Sequence, residues 1–314
     1  FGSDCLVVCR ICHISHCWMA KLETAISGPN TVLESLSDSL QNHALEQFSA
    51  WATEPQLTTR PQITQALNQG SSHTAMLVVA DDEASTRSYV LRYCNRSSTP
   101  LGLSFGQEIA CMKLANERGL APKILWLDID WQSMVLEFLD ESGPVSYKEL
   151  VALVRSIHSL PPELPPLNLQ QQFEHYWQIA LEQGHSASVL INPKEPALLT
   201  AIKALESESP VTCHNDLTPP NIRRRNQSLV AIDWEYAATG SPHFDIATLC
   251  SGWPDIDAGT FAVEALGNRF SEQLLHIAIH LFATLNWNWH QAAGESPTCQ
   301  QSPETLLQRL EACL

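Results

Sequence analysis

The chain is 314 residues long, 44% hydrophobic and 17% charged, a globular composition with room for one large domain or two lobes around a sizeable core. Its 34 acidic against 18 basic residues leave a formal net charge of −16. That balance argues against nucleic acid as a partner, because neutralising phosphates takes clustered Lys and Arg, and it suits neutral or cationic small substrates. No apolar run reaches the roughly 18 residues of a membrane-spanning helix, so no membrane partner is expected and the protein is expected to be soluble.

Cys5, Cys9, Cys12 and Cys17 crowd the first segment with His13 and His16, and Cys9-Arg10-Ile11-Cys12-His13 matches the pattern of c-type haem attachment. Haem attachment requires export, and the segment lacks the basic, apolar and cleavage-site succession of a signal peptide. Zinc is a second possibility, but the spacings are too compressed to be diagnostic. The first methionine is Met19, and the plainest expectation is that residues 1–18 are non-native or disordered and have no role. Cys94, Cys111, Cys213, Cys250, Cys299 and Cys313 are scattered among apolar or helical neighbours and are expected as reduced thiols of a cytoplasmic protein.

Val32, Leu33, Leu36, Leu40, Leu45 and Phe48 recur at roughly helical spacing, which predicts a helix or two over 30–51. Strand-like runs at 62–67 and 75–80 flank a small polar loop. Backbone N–H groups of Gly70, Ser71, Ser72 and His73, with the hydroxyls of Ser71, Ser72 and Thr74, can bind phosphate oxygens as a turn-formed nest; an ordinary hairpin turn explains the loop equally well. A strand over 88–93 carries Arg92, and a helix over 106–118 carries Glu108 beside an apolar face of Ile109, Met112, Leu114 and Ala115. A guanidinium can grip two oxygens in a fixed fork and also meet a carboxylate, while a solvated Arg and a solvated Glu are the plainer alternative. Two more strands are predicted at 121–128 and 133–139, then helices at 147–160, 169–184 and 195–206, with the proline-rich 161–166 as a breaker.

The sharpest feature is His214-Asn215-Asp216-Leu217-Thr218-Pro219-Pro220-Asn221, entered by a strand at 210–213 and left by one at 228–232 that delivers Asp233. This H-x-D-x-x-x-x-N spacing can place a carboxylate beside a substrate hydroxyl and an amide oxygen at a metal, with Asp233 as a further metal ligand. A polar hairpin turning at Pro219-Pro220 accounts for the prolines but not for the clustered acids. Glu235 lies two residues past Asp233, and alternation on an extended segment sends both side chains the same way.

At these residues, together with Ile232-Asp233-Trp234-Glu235-Tyr236-Ala237 and Asp245-Ile246-Ala247, the chain resembles the aminoglycoside phosphotransferase and choline kinase superfamily, in particular its choline kinase and thiamine kinase branch. The resemblance implies an α+β, protein-kinase-like bilobal fold. A small β-rich N-lobe over 19–139 would bind nucleotide, and a larger, mainly helical C-lobe over 140–314 would hold the catalytic loop, metal and acceptor. It implies ATP and Mg²⁺ as cofactors, Asp216 as the base, and Asn221 and Asp233 as metal ligands. Arg92 would hold the α/β-phosphates with Glu108 as its partner, and backbone near Glu137 and Leu139 would meet adenine. His214 and Asp245 would support the catalytic loop.

Glu235 would reach metal or substrate; a solvated carboxylate is the alternative. The run 280–289, with Trp287, resembles the helix that lends aromatic walls to the cation pocket of choline kinases, and Trp253 would add another wall. Indole faces attract cations by roughly 0.5 to 2 kcal/mol; helix core and turn anchor are the plain readings of the same residues. The expected function is an ATP- and Mg-dependent small-molecule kinase acting on a hydroxyl of choline, ethanolamine, thiamine or a related cation. An aminoglycoside or sugar phosphotransferase is the nearest alternative. A nucleotide-binding pseudokinase serving as a binding module is the second, and damage to Asp216, Asn221 or Asp233 would mark it. The acceptor and the oligomeric state stay open.

Overall fold

Residues 62–94 are rich in Val, Leu and Tyr at alternating positions, and this pattern folds as antiparallel strands with one face buried. In the computed structural model, the described residues are 31–51, 57–69, 73–82, 84–94, 104–141, 143–294 and 301–314. The readings for residues 1–18, for Gly70, Ser71 and Ser72, and for Cys299 lie outside them. The described chain forms two compact units, one within Thr24–Pro166 and Asn221–Thr239, the other within Leu167–Pro220 and Gly240–Leu314. The fold class is α+β, with one β-rich unit and one mainly helical unit.

The first unit begins with helices α1 (Thr31–Glu46) and α2 (Phe48–Trp51) and is built on five strands. These are β1 (Gln62–Gln69), β2 (His73–Asp81), β3 (Thr86–Cys94), β4 (Ile124–Asp128) and β5 (Ser133–Glu137), in the order β1-β2-β3-β5-β4. The β2–β3 register is unbroken from His73 opposite Cys94 to Asp81 opposite Thr86, whereas the edge strand β1 carries two irregularities, a common way to blunt an edge. Val78, Ala80, Leu91, Tyr93 and Val135 form the core with Leu40, Ala44 and Leu45 of α1. Helix α3 (Phe105–Asn116) starts at Ser104, whose hydroxyl accepts from the Gln107 N–H, and it buries Glu108 along with Ile109, Met112 and Ala115.

A second, three-stranded sheet in this unit has the order β6-β8-β9, from β6 (Asp140–Glu141), β8 (Ile222–Arg225) and β9 (Ser228–Ala231). Helix α4 (Tyr147–His158), opened by a Ser146/Glu149 capping box, completes it. Asn226 turns the β8–β9 hairpin at φ 56°, a conformation that Asn tolerates well. Arg225 anchors β8. Its Nε and Nη2 grip the Glu137 carboxylate at 3.0 and 2.7 Å, and it donates to the carbonyls of Gly119 at 3.0 Å and Ala121 at 2.9 Å. A guanidinium fork satisfied on every side in this way is worth more than a simple surface pair.

The second unit holds α5 (Leu169–Glu182), α6 (Pro196–Glu206), the short strand β7 (Val211–Cys213), then α7 (Pro242–Gly252), α8 (Ala258–Leu266), α9 (Glu272–Ala293) and α10 (Pro303–Glu311). Strand β10 (Ala238–Gly240) lies where the chain passes from the first unit back to the second. The 22-residue α9 is the axis on which α5, α6, α7 and α10 pack. Ser241, Asp257, Ser271 and Ser302 cap the starts of α7 to α10, and Gly294, at φ 72°, ends α9. Helix α7 is buried on nearly every face, so its sequence shows no amphipathic period.

Two buried polar clamps hold this unit. Asn288 is fully buried; its Oδ1 accepts from the Ile191 N–H at 2.9 Å and its Nδ2 donates to the Ile191 carbonyl at 2.8 Å. Glu208 accepts from the Ser241 hydroxyl and from His243 Nδ1, both at 2.5 Å, while His243 Nε2 accepts from the Ser271 N–H at 2.9 Å. None of the described helices is long and apolar enough to cross a membrane.

Truncation of Asn288 leaves both backbone groups of Ile191 buried without this partner. Asn288→Ala is expected to lower the unfolding free energy by about 2 kcal/mol, measured by urea denaturation; an unchanged midpoint and slope would show that the clamp contributes nothing.

Candidate active site

Four elements of the β-rich unit bring ionisable side chains to one group, buried except at Asp233, whose side chain is 29% exposed. Strand β2 gives His73, β3 gives Arg92 and Cys94, α3 gives Glu108, and the segment after β9 gives Asp233 and Glu235. Arg92 and Cys94 share a face of β3 by the two-residue period, and the register sets Cys94 against His73. Arg92 pairs through Nη1 with Glu108 Oε1 and through Nη2 with Asp233 Oδ1, and Glu235 Oε2 stands 3.7 Å from Nη2. The Arg92 and Glu108 side chains are only 8% and 1% exposed, which excludes the solvated-pair alternative. A buried charge is tolerated only when paired, so this guanidinium requires its carboxylates.

His73 is held from both ring nitrogens. Nδ1 lies 2.7 Å from Glu235 Oε2, and Nε2 lies 3.0 Å from Cys94 Sγ and 3.5 Å from Glu108 Oε2. Burial first, and then the Arg92 charge, push the imidazole down to about 3, with Asp233 partly opposing them. The ring is therefore neutral at physiological pH. Burial pushes the Cys94 thiol up to about 11. Each ring nitrogen of His73 has both a donor and an acceptor beside it: Nδ1 meets Arg92 Nη2 at 3.0 Å and Glu235 Oε2, and Nε2 meets the Cys94 thiol and Glu108 Oε2, so either tautomer of the neutral ring is satisfied.

Trp234 sets the two flanking acids. It is fully buried, and its Nε1 donates to the Ala231 carbonyl at 2.9 Å. Asp233 turns at φ 64°, a left-handed conformation uncommon outside Gly and Asn. The Ile232 N–H bonds the Asn221 carbonyl at 2.8 Å, and Gln107 Nε2 of α3 holds the Ala237 carbonyl at 3.0 Å. The same helix thus supplies Glu108 and pins the segment carrying Asp233 and Glu235. With its side chain 8% exposed, Glu235 is no solvated surface carboxylate.

In the helical unit, the loop after β7 is fixed through its backbone. His214 is fully buried and its Nδ1 accepts from the Asp216 N–H at 3.3 Å. Asn215 turns at φ 62° and gives its N–H to Asp245 Oδ1 at 2.6 Å, from the buried first turn of α7. Trp253, at the other end of α7, donates from Nε1 to the Leu217 carbonyl at 2.8 Å. Gly252 permits this approach: a Cβ there would come within 3.0 Å of Thr218 Cγ2 and 3.3 Å of its Cα.

The structure thus gathers His73, Arg92, Glu108, Asp233 and Glu235 in one unit, and His214, Asp216, Asp245 and Trp253 in the other. Asn221 begins the stretch that returns to the β-rich unit. Trp287 on α9 is tied elsewhere, donating from Nε1 to the Val189 carbonyl at 2.8 Å. Glu137 gives its N–H to the Lys123 carbonyl at 3.0 Å and its carboxylate accepts from Arg225, and Leu139 is buried. Cys94 is the neighbour that sequence reasoning missed; its two-residue spacing from Arg92 is the signal that was available.

Residues 63–275 match the family model described as phosphotransferase enzyme family. The chain is 26% identical over 150 residues to a protein LicA homolog of Mycoplasma capricolum subsp. capricolum, an alignment spanning 46% of this chain and 60% of that protein, under two thirds of the relative's length. Choline kinase LicA from Streptococcus pneumoniae superposes with a TM-score of 0.60 at 18% identity, over 86% of this chain and 98% of that one. A structure of LicA in complex with AMP gives 0.62 at 18% identity, over 87% and 98%. At such identities the likeness is one of fold, the protein-kinase-like α+β architecture. With the family model spanning well over half of the chain, this protein belongs to the phosphotransferase enzyme family.

Proposed function

We propose that this protein is an ATP- and Mg²⁺-dependent kinase that transfers the γ-phosphate to a hydroxyl of a small amino alcohol or related cation of the choline, ethanolamine or thiamine kind. The observation that carries the reading is the rigid backbone on either side of Asp216: Asn215 is held by Asp245, the Asp216 N–H by His214, and Leu217 by Trp253. Phosphoryl transfer is largely positioning and charge stabilisation, and a carboxylate on a fixed loop suits the first task. Asp216 accepts the hydrogen bond of the acceptor hydroxyl and orients it.

Arg92 serves the second task. Glu108 holds Nη1, and Nη2, here on Asp233, is the arm that turns to nucleotide phosphate. The amide oxygen of Asn221 and the carboxylate of Asp233 are hard oxygen donors of the kind Mg²⁺ takes. Bound there, Mg²⁺ would neutralise charge on the nucleotide phosphates. Because the Glu137 N–H is already used by Lys123, adenine recognition falls to the Glu137 carbonyl and the Leu139 backbone; phosphate contacts fall to Gly70, Ser71 and Ser72, while His73 belongs to β2 rather than to a loop. In this reading 19–139 is the nucleotide-binding lobe and 140–314 the catalytic and acceptor lobe.

Support for a cationic acceptor comes from the net charge of −16, the indoles of Trp253 and Trp287, and the choline kinase named among the structural relatives. Glu235 completes the acidic surroundings proposed for the substrate. The AMP complex of a relative supports nucleotide binding. Cys94, Cys111, Cys213, Cys250 and Cys313 are free thiols, in keeping with a reducing cytoplasm.

Adenosine diphosphate release with Mg-ATP, measured against choline, ethanolamine, thiamine, sugars and aminoglycosides, should rise with one of the amino alcohols or thiamine. Asp216→Asn should lower that kcat by roughly 10² to 10⁴ without moving the melting temperature. Stimulation only by sugars or aminoglycosides would transfer the assignment to that class, and a fully active Asp216→Asn would remove the proposed base. Glu108→Gln, which keeps the shape but weakens the hold on Arg92, should raise the KM for ATP by roughly tenfold; an unchanged KM would show that Arg92 does not need this partner to meet phosphate.

A further inference from the structure

We propose that His73, Asp233 and Glu235 form a binding site for a divalent first-row transition ion such as Mn²⁺, with the imidazole Nδ1 and one oxygen of each carboxylate as ligands. The ligand atoms of these three side chains all lie within 4.8 Å of one another, and Nδ1 is 2.7 Å from Glu235 Oε2. An ion bonded at roughly 2.0 to 2.3 Å can reach three atoms so spaced with small side-chain adjustments. One nitrogen and two anionic oxygens balance a dication. The imidazole distinguishes this donor set from the oxygen-only set preferred by Mg²⁺.

The same side chains already surround a cationic nitrogen, which is an independent sign of what the cradle accepts. Arg92 Nη2 sits on Asp233 Oδ1, 3.0 Å from His73 Nδ1 and 3.7 Å from Glu235 Oε2. An entering ion displaces Nη2, while Nη1 stays on Glu108, so the guanidinium keeps a partner. The ligands stand on a fixed frame. His73 begins β2 in an unbroken ladder with β3, and the buried Trp234 lies between Asp233 and Glu235. Ligation through Nδ1 uses the tautomer protonated at Nε2, where Cys94 Sγ at 3.0 Å and Glu108 Oε2 at 3.5 Å orient the ring from its far side.

This site shares Asp233 with the proposed Mg²⁺ pair but does not depend on kinase activity, so it is tested without nucleotide. Mn²⁺ is the probe, since it favours oxygen and nitrogen donors over the thiolates of the cysteine-rich first segment. The full chain is titrated with Mn²⁺ by electron paramagnetic resonance, and pulsed measurements read nitrogen coupling to the bound ion.

The wild type should show imidazole coupling. His73→Gln should lose the coupling, and both it and Glu235→Gln should bind about tenfold more weakly or worse, with thermal melts confirming that each is folded. No bound Mn²⁺, bound Mn²⁺ without nitrogen coupling, coupling that survives His73→Gln, or unchanged affinity in Glu235→Gln would each overturn the site. Bound Mn²⁺ without nitrogen coupling would still leave the oxygen-only pair intact, so the kinase reading is judged separately, by adenosine diphosphate release.

Discussion

The buried guanidinium of Arg92 is the constraint around which the β-rich unit is organised. A cation out of water must be surrounded by acceptors, and the penalty for leaving it unpaired amounts to several kcal/mol. Glu108 comes to it from α3, and Asp233 and Glu235 from beyond β9, so a helix and a distant hairpin segment converge on the sheet face carrying β3. Three carboxyl groups stand around one guanidinium, so the cluster holds more acceptor oxygens than Arg92 uses, the feature on which the proposed cation site rests.

Burial and the Arg92 charge, working against those acids, keep His73 neutral, and the ring joins the cluster by hydrogen bonds from both nitrogens rather than by charge. A neutral imidazole that keeps its proton on Nε2, toward Glu108 and Cys94, leaves the Nδ1 lone pair free for a metal. In the proposed readings Arg92 is a placeholder on Asp233: it would move off when a phosphate or a metal ion enters and keep its pair with Glu108.

The helical unit follows a different logic, in which backbone rather than charge is held. Asn215 in a left-handed turn, Asp245 on its N–H, His214 beneath Asp216 and Trp253 on the Leu217 carbonyl leave the loop little freedom. Gly252 lets the end of α7 approach closely enough to do this. Trp253 is thus an anchor for the loop through its nitrogen, whatever its ring face meets, and Trp287 is an anchor for the turn at Val189.

The sequence by itself marked the candidate residues and determined most of the elements that carry them. The H-x-D-x-x-x-x-N run, the strand ending at Asp233, and the strand and helix holding Arg92 and Glu108 are local patterns, set by period and by turn chemistry, and local patterns are legible in one dimension. Helix α7 was not legible, because a helix buried on all sides has no polar stripe to mark its period. Tertiary structure alone decided that Glu235 turns to His73 rather than to water, that Cys94 caps the imidazole, that Glu137 answers to Arg225, and that Asn288 clamps Ile191. Each of these joins residues far apart in the chain, and which buried polar group meets which depends on strand register and helix packing, which no local spacing encodes.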